Sequence, residues 1–563
     1  MVADRHLTRR AVMNGFVTTL LASRALPVFG AKLSSSASAL RCINIMNFIR
    51  AEEPRERVDL VLPVREQMAA IRRHALPATW LLQYDAMVEG PFVEFLKAEM
   101  PPNHEIGIWF EMSRRICEDA GISWRGNPAW EWDYHVPVAY SIGYKPEERI
   151  KLADTAIATF RRVLGRDAKT VASWNLDAVT VAHFAEVHHV DAFGNCRDQI
   201  ATDGFTVWGS PIAGYYPSRV NACSPALDRK NQLPAPVFRL LGQDPVYYYD
   251  KTLPYPDTME PVWPSGQSQT FVDRFLEMIA SSPTQAFAYA QLGQENSFGW
   301  PAMQQAYPMQ MEKLAQVRKE GHLIVETMGE TGRRFKQAFS STPPQAQVML
   351  QDPFGRKDPG EGTVWYQSRY FRANLHFRGS EFYLRDLHVY SDGYQQPYLG
   401  DTAQKHGIEQ RMLAALDGYH WSDDAVRAGH SGLRAMGSFT LFGRGRRETP
   451  LQMQGSPAVT EHGANLLALV PLLGGQRLHA DFDERGIEFR VTGTPSRARL
   501  VLNFQWVPER SALNSVSADS LHYRFRNFDY QIRIANGAAT KTAQGAKLVA
   551  SGPTLRLLLA QSS

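Results

Sequence analysis

The chain reads Ile43-Asn44-Ile45-Met46-Asn47-Phe48-Ile49-Arg50-Ala51-Glu52-Glu53 near its start, an apolar run that stops abruptly at charged side chains. A short apolar run bounded by polar residues is typical of a buried β-strand. Six further runs, each followed by a polar cluster with a carboxylate, occur at Ala78–Tyr84, Ile106–Phe110, Thr170–Asn175, Val190–Cys196, Val237–Leu241 and Gln285–Leu292. The seven apolar runs predict seven strands, each with polar side chains at one end.

Segments with helical periodicity separate these runs. The clearest covers Pro146–Leu164, which has Glu147 and Glu148 in its first turn and Gly165 directly after its end. Strands that alternate with helices indicate an α/β domain with a parallel sheet. Seven repeats favour a closed or nearly closed barrel over an open sheet, so we predict a seven-stranded (β/α) barrel over residues 40–345.

The pattern changes after the barrel. Ser341-Thr342-Pro343-Pro344 and the polar, glycine-rich stretch that follows indicate a linker, which we place at residues 346–362. Short strand-like segments separated by turn residues then run to the C-terminus, with one helical segment at Ile408–Leu416. This pattern of short strands and turns predicts an all-β sandwich domain over residues 363–563.

The first 39 residues have the pattern of an export signal. Arg9-Arg10 precedes an apolar stretch from Phe16 to Ala22, and Ala37-Ser38-Ala39 offers a small-residue cleavage site. Adjacent arginines before a short apolar stretch are typical of the twin-arginine route. We therefore predict a twin-arginine-type signal peptide over residues 1–39 and a periplasmic or extracellular location.

Composition excludes several classes of partner. Lys and Arg number 61 against 57 Asp and Glu, and no run of five like charges occurs, so we predict no nucleic-acid partner. No later stretch is long and apolar enough for a transmembrane anchor. The four cysteines show no paired spacing: Cys196 and Cys223 could form a disulfide, or all four could be core residues.

Carboxylates at the strand ends are the candidate catalytic groups. In a βα barrel the carboxyl ends of the strands converge on one face, which holds the active site. Mutual repulsion there would raise the pKa of some carboxyl groups and leave others ionised, which suits acid–base chemistry. The candidates are Asp85, Glu111, Asp177, Asp244 and Glu295. The alternative for a single one, such as Asp177 before a helix, is an N-cap.

Polar and aromatic residues beside the strand ends are the candidate substrate-binding groups. Indole faces stack on sugar rings, and amides, carboxylates and guanidinium groups bind hydroxyls. The candidates are Arg50, Glu53, Trp109, Trp174, Arg197, Asp198, Asp203, Trp208, Tyr215, Arg239, Gln294 and Trp300. The alternative for the aromatic residues is packing in the core.

No motif for a resident cofactor stands out. The chain has no H-x-x-x-H or H-E-x-x-H near a strand end, no G-x-S-x-G elbow and no phosphate-binding loop. We therefore predict no cofactor, and a divalent metal stays the open alternative.

The ordered strand-end motifs resemble the seven-stranded (β/α) barrels shared by polysaccharide deacetylases and the glycosidases of families 57 and 38. Within that group the chain is similar to a family of secreted bacterial proteins. The segments that carry the resemblance are Asn47–Arg55, Leu81–Asp85, Gly107–Glu111, Ser173–Asp177, Cys196–Gly204, Gly293–Trp300 and Gly321–Phe335.

The resemblance implies two different reactions. Deacetylases carry paired aspartates after the first strand and H-x-x-x-H after the next, where this chain has Arg50-Ala51-Glu52-Glu53 and Tyr84-Asp85. By strand order alone, the family 57 glycosidases imply Asp177 as nucleophile and Glu295 as acid. The other three carboxylates stay equal contenders.

We therefore expect a secreted carbohydrate-active enzyme with a poly- or oligosaccharide substrate. The first hypothesis is a glycoside hydrolase with two carboxylates at the carboxyl end of the barrel. The first alternative is a metal-dependent polysaccharide deacetylase. The second alternative is a non-catalytic glycan-binding protein, in which tryptophans rather than carboxylates would be essential.

Overall fold

The computed structural model describes residues 39–196, 213–247, 257–356, 361–405, 413–417, 436–443, 447–494, 497–506 and 512–561. The predicted export signal, apart from Ala39, lies outside the described residues. So do four predicted substrate-binding residues, which are Arg197, Asp198, Asp203 and Trp208.

The first sheet is an almost closed barrel. Its parallel strands are β1 (Leu40–Ile49), β2 (Thr79–Leu82), β3 (Glu105–Trp109), β4 (Thr170–Ala172), β5 (Ala192–Cys196), β9 (Val237–Leu240) and β10 (Phe287–Leu292), in the order β10-β1-β2-β3-β4-β5-β9. These seven coincide with the seven predicted runs. The predicted strand count is nevertheless wrong, because β6 (Gly214–Tyr215) adds an antiparallel edge and β11 (Ile324–Val325) pairs with β1. A separate ribbon joins β7 (Pro217–Ser218) and β8 (Asn221–Pro225).

Side chains bridge the remaining gap between β9 and β10. The backbone N–H of Leu241 donates to Oε1 of Gln291 at 2.8 Å. The ring of Phe238 stacks on Tyr289 with centroids 4.9 Å apart. Aromatic packing inside the barrel thus completes the wall where the ladder of backbone hydrogen bonds ends.

Helices form the outer layer of the barrel. They are α1 (Val61–Arg73), α2 (Tyr84–Val88), α3 (Phe92–Glu99), α4 (Arg114–Asp119), α5 (Val136–Ala139), α6 (Pro146–Leu164), α7 (Ala178–Glu186), α8 (Pro264–Gln267), α9 (Gln269–Ser281), α10 (Ala306–Lys319) and α11 (Met328–Ala338). Helix α6 has the predicted bounds and ends at Gly165, whose φ of 69° is left-handed and favours glycine. One apolar core lies between helices and sheet, and a second, with Phe48, Trp109 and Phe238, fills the barrel.

Two antiparallel sheets form the C-terminal region. Ten strands make the first: β12 (Gln345–Met349), β13 (Gly362–Gln367), β14 (Phe371–Arg378), β15 (Glu381–Val389), β16 (Leu413–Asp417), β17 (Met436–Phe442), β18 (Glu448–Pro450), β23 (Arg499–Gln505), β27 (Gly537–Thr542) and β28 (Gly545–Ala550). Eight make the second: β19 (Ala458–His462), β20 (Asn465–Pro471), β21 (Arg477–Asp483), β22 (Gly486–Thr492), β24 (Leu513–Val516), β25 (Ser520–Phe525), β26 (Phe528–Ala535) and β29 (Thr554–Leu558). Apolar side chains of both sheets share one core, which agrees with a β-sandwich.

Two local expectations differ from the structure. Strand β12 lies mostly within the segment expected to be a linker and pairs with β13. Strand β16 occupies part of the segment expected to be helical, because its residues complete the ladder with β15. In both places tertiary pairing overrides the local composition.

The sandwich is fixed to the barrel by polar contacts. Nε1 of Trp365 donates to the Pro245 carbonyl at 2.9 Å, and Arg385 donates to the Val246 carbonyl at 2.7 Å. Barrel and sandwich lie in one compact unit, residues 33–563.

A second set of contacts joins the segment after β15 to the barrel. The Arg149 guanidinium donates to the carbonyls of Tyr398 at 2.8 Å and Asp401 at 2.7 Å. Oε1 of Gln396 accepts from the backbone N–H groups of Ala178 at 3.1 Å and Ala222 at 2.9 Å. Backbone groups of each part are therefore satisfied by side chains of the other.

The four cysteines Cys42, Cys117, Cys196 and Cys223 are buried thiols, which agrees with the core alternative. Over the described ranges, no helix has the length and apolarity needed to cross a membrane.

Candidate active site

A buried ion-pair network lies at the carboxyl end of the barrel. Arg50 follows β1, and its guanidinium donates to both oxygens of Glu111, with Nη2–Oε1 at 2.8 Å and Nε–Oε2 at 3.0 Å. Its Nη1 donates to Glu295 Oε2 at 2.7 Å. These three side chains are 1 to 2% exposed. The barrel therefore brings two of the five predicted carboxylates onto one guanidinium.

The backbone that follows β10 is built to place Glu295. Gly293 has a φ of 106°, and a Cβ there would lie 2.2 Å from the Met46 carbonyl oxygen, so only glycine fits against β1. The side chain of Asn296 accepts from the Arg50 N–H at 2.9 Å and donates to the Arg50 carbonyl at 2.8 Å. Glycine and asparagine thus lock the ends of β1 and β10 together.

Neighbouring polar groups complete the network. Ser297 donates to Glu295 Oε1 at 2.6 Å, and Gln83 donates to Glu111 Oε2 at 3.2 Å. The ring of Trp132 lies 4.3 Å from the Arg50 guanidinium carbon, a cation–π contact. Trp132 comes from the loop after α4.

The charges of the network do not balance. Burial lowers the pKa of Arg50, but Glu111 and Glu295 outweigh it and hold that pKa well above its usual value. Burial raises the pKa of Glu111, and Arg50 opposes the rise. Among the residues that the structure describes, two carboxyl groups share this one cation, and a further carboxyl nearby experiences their charge.

Glu260 is that further carboxyl, and sequence reasoning missed it. Burial, followed by the charge of Glu295, raises its pKa to about 7. Its Oε2 accepts from Thr258 Oγ1 at 3.0 Å and from Trp263 Nε1 at 3.1 Å. In the sequence, Glu260 comes well after the end of β9, so no strand-end pattern includes it. The only feature of the sequence that points to Glu260 is the nearby Trp263.

Asp85 is a second carboxyl that titrates near neutrality. Ser113 donates to its Oδ1 at 2.7 Å, and within the described ranges its Oδ2 has no hydrogen-bond partner. Burial raises its pKa to about 7, and the acidic side chains of Glu89, Glu131 and Glu52 add to the rise. Asp85 thus lies below an acidic surface beside β2.

The other two predicted catalytic carboxylates have structural roles. Asp177 caps α7, accepting from the N–H groups of Val179 and Thr180, and its carboxylate also pairs with Arg149 at 3.1 Å. Asp244 accepts from the N–H groups of Val246 and Tyr247 in a tight turn. The capping alternative for Asp177 is the correct one, because its oxygens are occupied.

Most of the predicted sugar-stacking residues lie in the core. Trp109 stacks on Phe48 with centroids 4.1 Å apart and meets Trp174 edge-on at 5.2 Å, all inside the barrel. Tyr215 and Arg239 are fully buried and contact each other, with the guanidinium carbon 5.2 Å from the ring. Their burial corrects the expectation that these four side chains face a substrate.

Three more of the predicted binding residues follow β1 or β10 in the sequence. Trp300 is half-buried and contacts Tyr307 at a centroid distance of 6.4 Å. Gln294 is buried and precedes Glu295. Glu53 is buried and binds the guanidinium of Arg55, with Oε1 to Nε at 2.8 Å.

Among the residues that the structure describes, those at this end of the barrel do not fit the metal site of deacetylases. The part of the chain that the structure describes holds one group of three metal-ligating side chains, Asp154, His183 and His188, and it lies on the outer helices. At the strand ends the cation between the carboxylates is the Arg50 guanidinium. Arg50 and the carboxyl groups are therefore the described residues that could take part in a reaction at this end.

No family model matches the chain, and no curated protein matches it. Solved structures similar to it include a candidate glycoside hydrolase/deacetylase from Parabacteroides distasonis, 14% identical, covering 71% of this chain and 99% of that one, with a TM-score of 0.48. A candidate polysaccharide deacetylase from Mycobacterium smegmatis is 11% identical, covering 55% and 98%, with a TM-score of 0.34. A family 4 carbohydrate esterase from Streptomyces lividans in complex with acetate is 9% identical, covering 53% and 96%, with a TM-score of 0.25. The names of these neighbours thus include glycoside hydrolase, deacetylase and carbohydrate esterase.

Proposed function

We propose that the chain is a carbohydrate-active hydrolase whose reaction takes place at the carboxyl end of the barrel. The observation that carries the proposal is Glu260, whose carboxyl has a pKa of about 7 beside the Arg50–Glu111–Glu295 network. A carboxyl with a pKa near the working pH can both release and take up a proton during a reaction. Pairs of carboxyl groups whose environments separate their pKa values are the usual basis of acid–base hydrolysis.

Removal of acyl groups from a polysaccharide is our first candidate reaction. A two-carboxylate glycosidase needs its carboxyl groups on either side of the glycosidic bond, about 5 to 9.5 Å apart. Here the Arg50 guanidinium fills the space between Glu111 and Glu295, and both are buried. An acyl substituent needs less room than a glycosidic bond held between two carboxylates. Deacetylase and esterase are also among the names of the structural neighbours.

The residues suggest how such a reaction would proceed. Ionised Glu260 would take a proton from a water molecule as its oxygen attacks the acyl carbon. The protonated carboxyl would then return that proton to the departing oxygen or nitrogen of the sugar, so that acid and sugar leave as separate products. Arg50 would hold Glu295 in position throughout.

Cleavage of a glycosidic bond is the second candidate. The specific observation in its favour is that a protonatable carboxyl, Glu260, lies close enough to Glu295 for the two charges to interact. In this reaction Glu260 would protonate the departing oxygen, and Glu295 would be the nucleophile or base.

Export by the twin-arginine route belongs to the same proposal. It would place the enzyme where envelope or extracellular glycans occur. Fusing residues 1–39 to a reporter that is active only after export tests it, with Arg9→Lys and Arg10→Lys together as the variant expected to abolish export.

A glycan panel tests the function. The purified chain is incubated with acetylated and deacetylated polysaccharides, and released acetate and new reducing ends are measured in the same tubes. Acetate without reducing ends supports deacylation, and reducing ends support the second candidate. Equal signals from the chain and its Glu260→Gln variant, or no product from either, would contradict the proposal.

A further inference from the structure

Two histidines and an aspartate converge on the outside of the barrel. Nε2 of His183 lies 2.6 Å from Oδ1 of Asp154, and Nε2 of His188 lies 2.7 Å from the same oxygen. The three ligand atoms lie within 4.8 Å of one another. Both imidazoles thus point their outer nitrogens at one carboxylate oxygen.

The fold, rather than chance exposure, brings these side chains together. Asp154 lies in the middle of α6, His183 in α7, and His188 in the turn that leads from α7 to β5. The imidazoles pack edge-on with centroids 5.1 Å apart, and Phe184 lies 6.2 Å from the His188 ring. The His183 and His188 side chains are 14% and 15% exposed, whereas Asp154 is 51% exposed. Two ligands are therefore held in place, and the third opens the cluster to solvent.

We propose that Asp154, His183 and His188 form a binding site for a divalent transition metal of the zinc type. Two imidazole nitrogens and one carboxylate oxygen are a donor set that zinc accepts, at about 2.0 to 2.2 Å from the ion. In a tetrahedral site such ligand atoms lie about 3.3 Å apart, so the two imidazoles need to separate from the carboxylate by less than about 1 Å. The exposed side of Asp154 leaves a fourth position for water.

The site is separate from the candidate active site. Helix α7 begins after the carboxyl end of β4, and the cluster lies on the far half of that helix, toward the amino end of β5. A metal there would join α6 to α7 and stabilise the helical layer. The inference does not rest on the proposed hydrolase activity.

Metal content and affinity test the proposal. The tag-free full chain is equilibrated with zinc chloride, desalted and analysed for metal, and its affinity is measured by calorimetry. We expect one zinc ion per chain and a rise in melting temperature on zinc addition. Asp154→Asn, His183→Gln and His188→Gln should each lower the affinity at least tenfold and abolish the rise in melting temperature.

His189→Gln is the matched control, because His189 is the exposed neighbour of His188 and lies outside the cluster. This variant should bind zinc as the unsubstituted chain does. Zinc retained equally by all four variants would place the metal elsewhere and overturn the proposal. Failure of the unsubstituted chain to bind zinc would overturn it as well.

Discussion

The molecule contains two buried arginine–carboxylate networks, and they differ in charge balance. In the barrel, one guanidinium, Arg50, holds Glu111 and Glu295. In the ten-stranded sheet, Arg372 binds both oxygens of Asp386, at 3.0 and 3.1 Å. There the second carboxylate, Asp417, lies 3.7 Å from Nε2 of His388, whose Nδ1 is 2.9 Å from Asp386.

His388 accounts for the difference in charge balance between the two networks. Burial lowers the pKa of His388, but Asp386 outweighs it and the net change is upward. Burial raises the pKa of Asp386, but Arg372 and His388 outweigh it and the net change is downward. Within the described ranges, the sandwich network can therefore pair two cations with two carboxylates, whereas one cation contacts two carboxylates in the barrel network.

Burial of an ion pair does not by itself mark an active site, because both arginine–carboxylate networks are buried. The unbalanced charge is what separates the two networks. The charge of Glu295 contributes to the high pKa of Glu260. The candidate active site is therefore identified by an excess of carboxylates rather than by burial.

Removing either arginine should give the largest effect on stability. Arg50→Met and Arg372→Met each leave a buried carboxylate without its cation, which costs about 3–5 kcal/mol of unfolding free energy. Urea denaturation of the full chain measures the loss. Only Arg50→Met should also abolish hydrolysis, and equal residual activity in the two variants would contradict the functional distinction. If neither folds, Arg50→Lys against Arg372→Lys repeats the comparison with the charge kept.

Glu260→Gln should give the largest effect on activity alone. Loss of a general acid–base group lowers kcat/KM about 100-fold or more. The matched control is Glu105→Gln, since burial also raises the pKa of Glu105 to about 7, but this side chain lies at the amino end of β3 beside Gly329. Steady-state kinetics should show kcat/KM of the control within about twofold of the unsubstituted chain. A similar loss in both variants would contradict a specific role for Glu260.

Stability should depend on pH in different windows for the two networks. Folded Glu260 holds its proton up to about pH 7, whereas unfolded Glu releases it near 4.5, so stability falls as pH rises between these values. The slope contributed by one such group is about 1.4 kcal/mol per pH unit. Glu260→Gln should remove that slope in urea titrations at pH 5, 6 and 7.

The raised pKa of His388 acts in a higher window. Its contribution is present in full below the unfolded value of 6.5 and is lost as pH rises through the folded value. His388→Gln should therefore flatten the stability profile above pH 6.5 and leave the profile between pH 4.5 and 6 unchanged. If Glu260→Gln changed the stability profile only above pH 6.5 and His388→Gln changed it only below pH 6, the pH dependence would have been attributed to the wrong groups.

Trp300→Ala should give the smallest effect. Trp300 is half-buried in the segment that follows β10, so its loss should raise KM several-fold, as loss of a stacking surface does, and cost at most about 1 kcal/mol of stability. Trp109→Leu is the contrast, because Trp109 lies inside the barrel and should lose stability by about 3 kcal/mol. Saturation kinetics and urea melts of the two variants measure both quantities.

Local patterns predicted the parallel strands of the barrel and the bounds of α6. A strand buried on both faces is an uninterrupted apolar run. A glycine directly after a helical pattern, as at Gly165, marks the end of the helix. The short strands β6 and β11 were missed because two residues leave no pattern.

The candidate site was only partly predictable. Arg50 is separated from Glu111 by 61 positions and from Glu295 by 245, so their common location follows from the strand order. The ion pairs between these side chains do not follow from strand order, because an apolar run does not indicate on which side of the sheet the next side chain lies. For the same reason the sequence leaves open whether Trp109 and Trp174 bind substrate or pack in the core. Glu260 lies far from any strand end, so no pattern of this kind includes it.

Arg149 and Gln396 have a consequence for how this chain can be divided. A protein ending at residue 345 would leave the Arg149 guanidinium without two of its carbonyl acceptors and the N–H groups of Ala178 and Ala222 without the Gln396 oxygen. Shuffling of the barrel as an independent genetic module would therefore be disfavoured, and the two parts are expected to be inherited together.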